Sequence, residues 1–262
     1  MGSRSGIRRT VKRVPAPVYR FRAALIEGVI VSRPNRFVMI VNIGGVEVRC
    51  HCPTTGRIGE LRLSGLPCLC SESDRPGRKT RYTVEAISGG GSPPSWIGIN
   101  QTEANRYLEF FLKAGALSGI ATGDVRREVR LGRSRIDFQV GKTFIEAKTP
   151  LITLPVGEGG GRVRHGKFDS FDRLIRHMGE LRRSLGSGRR ACIVLCYLYD
   201  AKPFRPPAPD GTNGRILEAA RRAEQAGVER WQVNMKVDRE RVSLLRYFRS
   251  RPYAQREGRA RP

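Results

Sequence analysis

Apolar and polar side chains alternate along residues 134–148, as expected for β-strands that bury one face. Two dipeptides, Gly132-Arg133 and Gly141-Lys142, separate the alternating stretches. Glycine at the first central position suits a two-residue type II′ turn, because that position needs φ > 0. Residues 125–149 are therefore predicted to form a three-stranded antiparallel meander. Its apolar face would hold Ile136, Phe138, Val140, Ile145 and Ala147.

The tight turns also predict which polar residues lie opposite one another. Across Gly141-Lys142, Asp137 falls opposite Glu146; across Gly132-Arg133, Glu128 falls opposite Asp137. Lys148 shares the face of Glu146, since side chains alternate with period two. Directly paired Cβ atoms are about 4.5–5.5 Å apart, where like charges repel. A row of three carboxylates therefore predicts a compensating cation.

This row favours the chemistry of a metal-dependent nuclease. Mg²⁺, or Mn²⁺ in its place, prefers oxygen ligands and keeps waters that a phosphate or hydroxide can replace. Asp137, Glu146 and Glu128 are the predicted metal ligands, and these three acids with Lys148 are the predicted catalytic residues. Bound metal polarises a phosphoryl oxygen, and the lysine neutralises developing charge. The alternative is structural, since Glu-x-Lys on an exposed strand is also a common solvated charge pair.

The first third of the chain has the pattern of a small β-barrel. Short strand-like stretches with turn signals run from Phe21 to about Ser88. The clearest hairpin joins residues 37–43 and 46–52 through Gly44-Gly45. Its predicted core face holds Phe37, Met39, Val41, Ile43, Val46, Val48, Cys50 and Cys52.

Around the meander, the pattern predicts an α/β domain. A helix over 102–116, with Thr102 as its predicted cap, precedes the meander, and helices over 169–185 and 215–226 alternate with strands over 191–199 and 229–237. This order suits a nuclease core with a mixed sheet. The glycine-rich stretch 151–168 carries basic residues and is predicted to be a mobile loop on the substrate side.

Charge points to a nucleic-acid partner. The 262 residues carry 49 Lys plus Arg against 24 Asp plus Glu, a formal net charge of +25. Such a charge binds polyanions through phosphate contacts and counterion release, but it does not separate DNA from RNA. No apolar run approaches the length of a membrane span or a signal peptide. The protein is therefore expected in the cytoplasm with DNA or RNA and no membrane as partner; whether it forms a homodimer is open.

Several motifs resemble the sugar fermentation stimulation protein (SfsA) family. They are Pro34-Asn-Arg-Phe37, His51-Cys-Pro-Thr-Thr-Gly56, Arg78-Lys-Thr-Arg-Tyr-Thr83, Ala104-Asn-Arg106, Arg133-Ser-Arg-Ile-Asp-Phe138 and Ile145-Glu-Ala-Lys-Thr149. The resemblance implies an N-terminal OB-like small β-barrel followed by a restriction-endonuclease-like α/β domain of the PD-(D/E)xK type. In that class Asp137 matches the motif Asp, Glu146 and Lys148 match the (D/E)xK element, and Glu128 is the upstream acid.

One family stretch, which precedes a helix in other members, matches poorly here. Residues 171–177 retain Arg173 and His177 cleanly, with charge-conserving changes at Asp172 and Arg176. Polar groups in predicted loops, together with these family matches, are the predicted nucleic-acid contacts. They are Asn35, Arg36, Thr55, Arg57, Arg78, Lys79, Arg81, Asn105, Arg106, Arg135, Arg173 and His177.

These patterns give four predicted segments. Residues 1–19 form a basic disordered extension, 20–92 the OB-like nucleic-acid-binding domain, 93–245 the nuclease-like domain and 246–262 a basic tail. Four of the six cysteines, at 50, 52, 68 and 70, are predicted to be reduced core residues, with a zinc site as the alternative. Two readings of function stay open: a metal-dependent nuclease, and a non-catalytic nucleic-acid-binding regulator.

Overall fold

A computed structural model describes residues 16–54, 58, 61–74, 77–91, 95–151, 153–154, 156, 161–162, 172–206 and 213–251. The strands in chain order are β1 Val18–Arg20, β2 Ile26–Asn35, β3 Val38–Ile43, β4 Val46–His51, β5 Pro67–Glu72, β6 Tyr82–Ser88, β7 Trp96–Gly98, β8 Val125–Leu131, β9 Ser134–Val140, β10 Thr143–Lys148, β11 Thr153–Leu154, β12 Gly161–Arg162, β13 Arg190–Tyr197, β14 Glu229–Val237 and β15 Arg241–Arg249. The helices are α1 Gln101–Lys113, α2 Asp172–Arg183 and α3 Gly214–Gln225.

Strands β2 to β6 form the predicted barrel. Their hydrogen-bonded order is β4-β3-β2-β5-β6, and a parallel pairing of β4 with β6 closes the ring. Each strand therefore has two neighbours, in the connectivity of an OB fold. The described residues thus contain the OB-like barrel predicted from the sequence.

The β3–β4 hairpin buries most of its predicted core face. Gly44 and Gly45 both take positive φ in the turn, as a tight hairpin requires. Inside the barrel lie Met39, Val41, Cys50 and Cys52. Phe37 and Val46 were predicted on the same face but are exposed, because each lies at an end of the hairpin beyond the closed part of the barrel.

A second, seven-stranded sheet has the order β1-β15-β14-β13-β10-β9-β8. Strands β10, β13 and β14 run parallel to one another, while the remaining pairs are antiparallel. Helix α2 packs on one face against β9 and β13. The predicted α/β domain with a mixed sheet is confirmed.

The predicted register of the meander is confirmed where the strands pair. In β8 and β9, Leu131 pairs with Ser134 and Arg127 with Phe138; in β9 and β10, Ile145 pairs with Phe138. Gly132 and Gly141 have φ of 57° and 55°. The β9–β10 ladder ends at Ile145, so Asp137 and Glu146 lie just beyond the last backbone pair, where the two strands separate.

The predicted segment boundaries are wrong at three places. Strand β7 pairs with β6, so the barrel sheet extends past the boundary at residue 92. Val18 begins β1, which pairs with β15, and β15 itself runs to Arg249. Residues 18–19 and 246–249 are therefore sheet and not tail, because 18–19 pair with residues 242–243 of β15 and 246–249 pair with β14.

The barrel and the α/β domain share one hydrophobic cluster. Ile87 on β6 and Ile99 just after β7 pack in the same cluster as Leu195 and Tyr197 on β13 and Tyr199 just after it. At the seam, the Gly98 N–H donates to the Leu198 carbonyl at 2.9 Å. A Cβ at Gly98 would lie 2.4 Å from Leu198 Cβ, so only glycine allows this close approach.

All six cysteines are buried and reduced, and the four in the barrel lie in its core as predicted. Sγ of Cys68 and Sγ of Cys70 are 3.9 Å apart. None of the described helices has the length and apolar character needed to cross a membrane.

Candidate metal and catalytic centre

Asp137 lies where β9 and β10 separate, and its side chain takes the place of the backbone hydrogen bonds that would continue the β9–β10 ladder. Its Oδ2 accepts the backbone N–H of Ala147 at 2.8 Å, and its Oδ1 accepts Nδ2 of Asn105 on α1 at 3.1 Å. The carboxylate is thus held from both the sheet and the helix. Asp137 and the Glu146–Lys148 segment are brought together, as the sequence predicted.

Burial raises the pKa of the Asp137 carboxyl, and the negative charge of Glu146 raises it further. The Lys148 ammonium and the Ala147 N–H act in the opposite direction, and Glu128 adds a weaker upward effect. Ionised carboxylates at close range cost free energy unless a cation compensates them. A positive charge that approached the two carboxylates would relieve this repulsion.

Glu146 is the most buried acid of the centre, with 1% of its surface exposed. Its Oε1 contacts the Lys148 ammonium and lies 2.6 Å from Nδ1 of His177. Its Oε2 is buried and has no hydrogen-bond partner among the described residues. A buried carboxylate oxygen without a partner is costly in an apolar setting, and a bound cation is one group that would satisfy it.

Glu128 adopts a backbone conformation that strands rarely use. Its φ is 53°, in the left-handed region, and the ladder of β8 and β9 skips the Glu128–Asp137 position without changing register. Its carboxylate pairs with Arg135 at 3.2 Å. Within the part of the chain that is described, no three His, Cys, Asp or Glu side chains converge as metal ligands. This differs from the predicted three-carboxylate set, because the left-handed turn and Arg135 hold Glu128 apart.

Helix α1 carries Asn105 to the centre, and its start is firmly fixed. The Asn100 side chain caps the helix by accepting the N–H groups of Thr102 and Glu103 at 3.2 Å each. Its Nδ2 donates to the buried Glu85 of the barrel at 2.8 Å. The sequence placed this cap at Thr102, two residues too late, because both residue types are good caps.

Helix α2 is fixed over the meander by Glu180. Oε1 of this side chain accepts the Arg133 N–H at 3.2 Å, and a Cβ at Gly132 would lie 2.3 Å from Oε2. Gly132 is therefore needed both for its positive φ and for the space that Glu180 occupies. This anchoring places His177, 2% exposed, against Glu146. The prediction that His177 contacts nucleic acid directly is at odds with this burial.

Comparison with known proteins identifies the family. A family model described as the SfsA N-terminal OB domain matches residues 31–99, and one described as the sugar fermentation stimulation protein RE domain matches residues 102–241. The chain belongs to the sugar fermentation stimulation protein family. The resemblance read from the sequence motifs is confirmed.

Individual members of the SfsA family cover nearly the same length. The sugar fermentation stimulation protein homolog of Teredinibacter turnerae is 31% identical over 223 residues, which span 80% of this chain and 89% of that protein. The homolog of Alcanivorax borkumensis is 32% identical over 212 residues, 76% of this chain and 86% of that one. The structure of Pyrococcus furiosus SfsA in complex with Ca²⁺ is similar with a TM-score of 0.66 and 25% identity, over 84% of this chain and 93% of that one.

Most of the basic residues predicted to contact nucleic acid lie on the surface of this SfsA-family chain. Asn35 and Arg36 occupy the β2–β3 turn, and Arg78, Lys79 and Arg81 occupy the β5–β6 connection, all exposed. Arg135 and Arg173 are exposed on the α/β domain, and Arg106 pairs with Glu103 at 3.0 Å. Thr55 and Arg57 lie outside the described residues, as does most of the predicted mobile loop.

Proposed function

We propose that this SfsA-family protein is a metal-dependent nuclease that hydrolyses phosphodiester bonds of DNA or RNA. The single observation that carries the proposal is Oε2 of Glu146, which is buried beside Asp137 and the Lys148 ammonium and has no hydrogen-bond partner in the part of the chain that the structure describes. A solvated surface charge pair would show neither this burial nor an orphaned carboxylate oxygen.

The residues of the centre fit a hard divalent cation. Asp137 and Glu146 would hold it, and two carboxylates suffice for Mg²⁺, which keeps several waters. When bound, Mg²⁺ or Mn²⁺ would polarise a phosphoryl oxygen and lower the pKa of a bound water. The related Pyrococcus furiosus protein is described in complex with Ca²⁺, another cation that prefers oxygen ligands. Glu128 would join as a third ligand once Arg135 turns to a phosphate.

The remaining side chains would position these groups and balance charge. Lys148 presents an ammonium with about a third of its surface exposed, close enough to neutralise negative charge on the reacting phosphate. His177 holds Oε1 of Glu146 and so orients Oε2, while Asn105 does the same for Asp137. The contacts of Glu146 with Lys148 and His177, and of Asp137 with Asn105, need not change during the reaction.

The basic surface would supply affinity for the substrate backbone. A net charge of +25 attracts a polyanion at long range, and phosphate contacts position it without reading sequence. The barrel presents Arg36, Arg78 and Lys79 on the two loops that OB folds use for oligonucleotides. The barrel would therefore grip a strand that the α/β domain cuts.

The test is cleavage of end-labelled single- and double-stranded DNA and RNA in Mg²⁺, Mn²⁺ or EDTA. We expect metal-dependent cutting by the wild type and a loss of roughly 10²-fold or more in Asp137→Ala, Glu146→Ala and Lys148→Ala. Glu240→Ala, an exposed acid on the β14–β15 turn, is the matched control and should cut normally.

Binding in EDTA separates this proposal from its alternative. The three variants should bind the same oligonucleotides about as well as the wild type, since the lost groups act on the reacting phosphate. Tight binding without cutting in any metal would refute the nuclease and leave a non-catalytic nucleic-acid-binding regulator. Cutting that survives in both Asp137→Ala and Glu146→Ala would place the active site elsewhere.

A further inference from the structure

The ring of Phe37 is exposed at the turn between β2 and β3. Four large hydrophobic side chains are exposed among the described residues, and Phe37, with 48% of its surface exposed, is the aromatic one. The other three are Val29, Val46 and Leu245. An exposed aromatic ring loses the burial free energy that it would gain inside the barrel.

The backbone around Phe37 is held although its side chain is not. Its N–H donates to Oδ1 of Asn35 at 2.9 Å, and its carbonyl accepts the Cys52 N–H at 2.8 Å. The Arg36 guanidinium lies over the ring, 4.6 Å from its centroid. The ring is therefore presented on a fixed turn, and little conformational entropy remains to be lost when a flat ligand stacks on it.

Positive charge from a second loop reaches the same end of the barrel. Val38, next to Phe37, pairs with His51, and burial together with the nearby Arg78 lowers the pKa of His51. Arg78 belongs to the β5–β6 connection, which also holds a second arginine–aromatic pair, with Arg81 over Tyr82 at 5.5 Å. The two loops that meet here correspond to the L12 and L45 loops by which OB folds bind oligonucleotides.

We infer that Phe37 is a base-stacking platform and that this end of the barrel takes a single-stranded segment of nucleic acid. The inference deepens the proposed function by naming its substrate class, and it rests on the nucleic-acid binding in that proposal. Bases in a duplex are already stacked on both faces, whereas an unpaired base has a free π-face for an aromatic ring. The arginines then contact the phosphates on either side of the stacked base.

The test is fluorescence anisotropy with labelled oligonucleotides in EDTA, so that cleavage plays no part. Phe37→Ala should weaken binding of single-stranded DNA or RNA by about fivefold or more. Duplex binding should change little, and the salt dependence should be unchanged because no charge is lost. Phe37→Tyr should bind like the wild type. Val46→Ala, which removes a 62% exposed side chain at the start of β4, at the opposite end of the β3–β4 hairpin, should also leave binding unchanged.

Two outcomes overturn the inference. One is equal single-strand affinity of Phe37→Ala and the wild type; the other is an equal loss for single strands and duplex. Melting temperatures of all variants show whether a loss reflects unfolding, and Phe37→Tyr retains the ring if Phe37→Ala does not fold. Failure of the nuclease proposal gives a different result: the protein does not cut with Mg²⁺, but its single-strand binding still depends on Phe37.

Discussion

At the scale of single residues, Asp137 combines two opposing demands. Its carboxyl must be ionised to attract a cation, yet burial and Glu146 raise its pKa. A carboxyl whose pKa is raised on folding binds its proton more firmly in the native state. Stability therefore falls as pH rises from the ordinary value to the raised one, and the full cost is present above it.

We expect Asp137→Asn to melt at a higher temperature than the wild type at about pH 8 in EDTA. The amide carries no charge and can still accept the Ala147 N–H. The difference should shrink toward about pH 4, where the wild-type carboxyl is becoming protonated. Asp74→Asn, at an exposed acid, is the control and should show no such trend. A variant that melts below the wild type at high pH would contradict the electrostatic cost.

Glu128 gives a second prediction at this scale. The left-handed conformation costs an L-residue about 1–2 kcal/mol, and glycine avoids this cost. Glu128→Gly should therefore be about 1 kcal/mol more stable to urea than Glu128→Ala, although both lose the carboxylate. At Arg126, two residues earlier and without positive φ, the order should reverse. Equal stability of the two Glu128 variants would show that the left-handed conformation at this position does not destabilise the protein.

The candidate catalytic residues could be proposed from the sequence because strand alternation and two-residue turns are local rules. Glu128, Asp137, Glu146 and Lys148 follow from counting across Gly132 and Gly141. The partners of these residues could not be found in this way. Asn105 and His177 reach the centre from helices that lie 32 and 31 residues away in sequence from Asp137 and Glu146. Such contacts depend on helix packing, which periodicity does not specify.

At the scale of elements, Asn100 joins a helix cap to the barrel. Its side chain accepts the first N–H groups of α1 and donates a hydrogen bond to Glu85. Burial raises the pKa of the Glu85 carboxyl, while the hydrogen bonds from Ser71 and Asn100 lower it. Asn100→Ala removes the cap and leaves a buried carboxylate oxygen unpaired. We expect a loss of about 2 kcal/mol in the free energy of unfolding in urea.

Asn100→Asp keeps the capping oxygens but places a second acid against Glu85. Its stability relative to the wild type should fall as pH rises and both acids ionise. Thr102→Ala, at the position where the sequence predicted the cap, should lose much less. A large loss there with none at Asn100 would return the cap to Thr102.

The element pattern of the α/β domain could be read almost completely from the sequence. Strand β14 matches its predicted bounds, and α3 differs by one residue at each end. Strands β1 and β15 were missed, because β15 exposes Leu245 beside its arginines, which obscures its alternation, and β1 has only three residues. Strand β1 pairs with β15, and β15 pairs with β14. These pairings between distant segments determine both strands, and they leave no local pattern in the sequence.

At the scale of the whole molecule, the net charge predicts steep salt dependence. The logarithm of the affinity for duplex DNA should fall linearly with the logarithm of salt concentration, with a slope of about −0.9 per phosphate contacted. Arg78→Ala should reduce the magnitude of that slope by about one and weaken all sequences alike. Arg221→Ala, on α3 and paired with Glu218, should leave the slope unchanged. A slope that is insensitive to Arg78 would remove the β5–β6 loop from the interface.

The close contact of Gly98 with Leu198 means that the OB domain and the RE domain must be inherited together. Their shared cluster packs side chains of both halves against each other, and Leu198 occupies the space that any larger residue at position 98 would need. A chimera that joins the barrel of one relative to the α/β domain of another should fold only if positions 98 and 198 come as a compatible pair. Separate recombination of the halves is thus restricted by one missing methyl group.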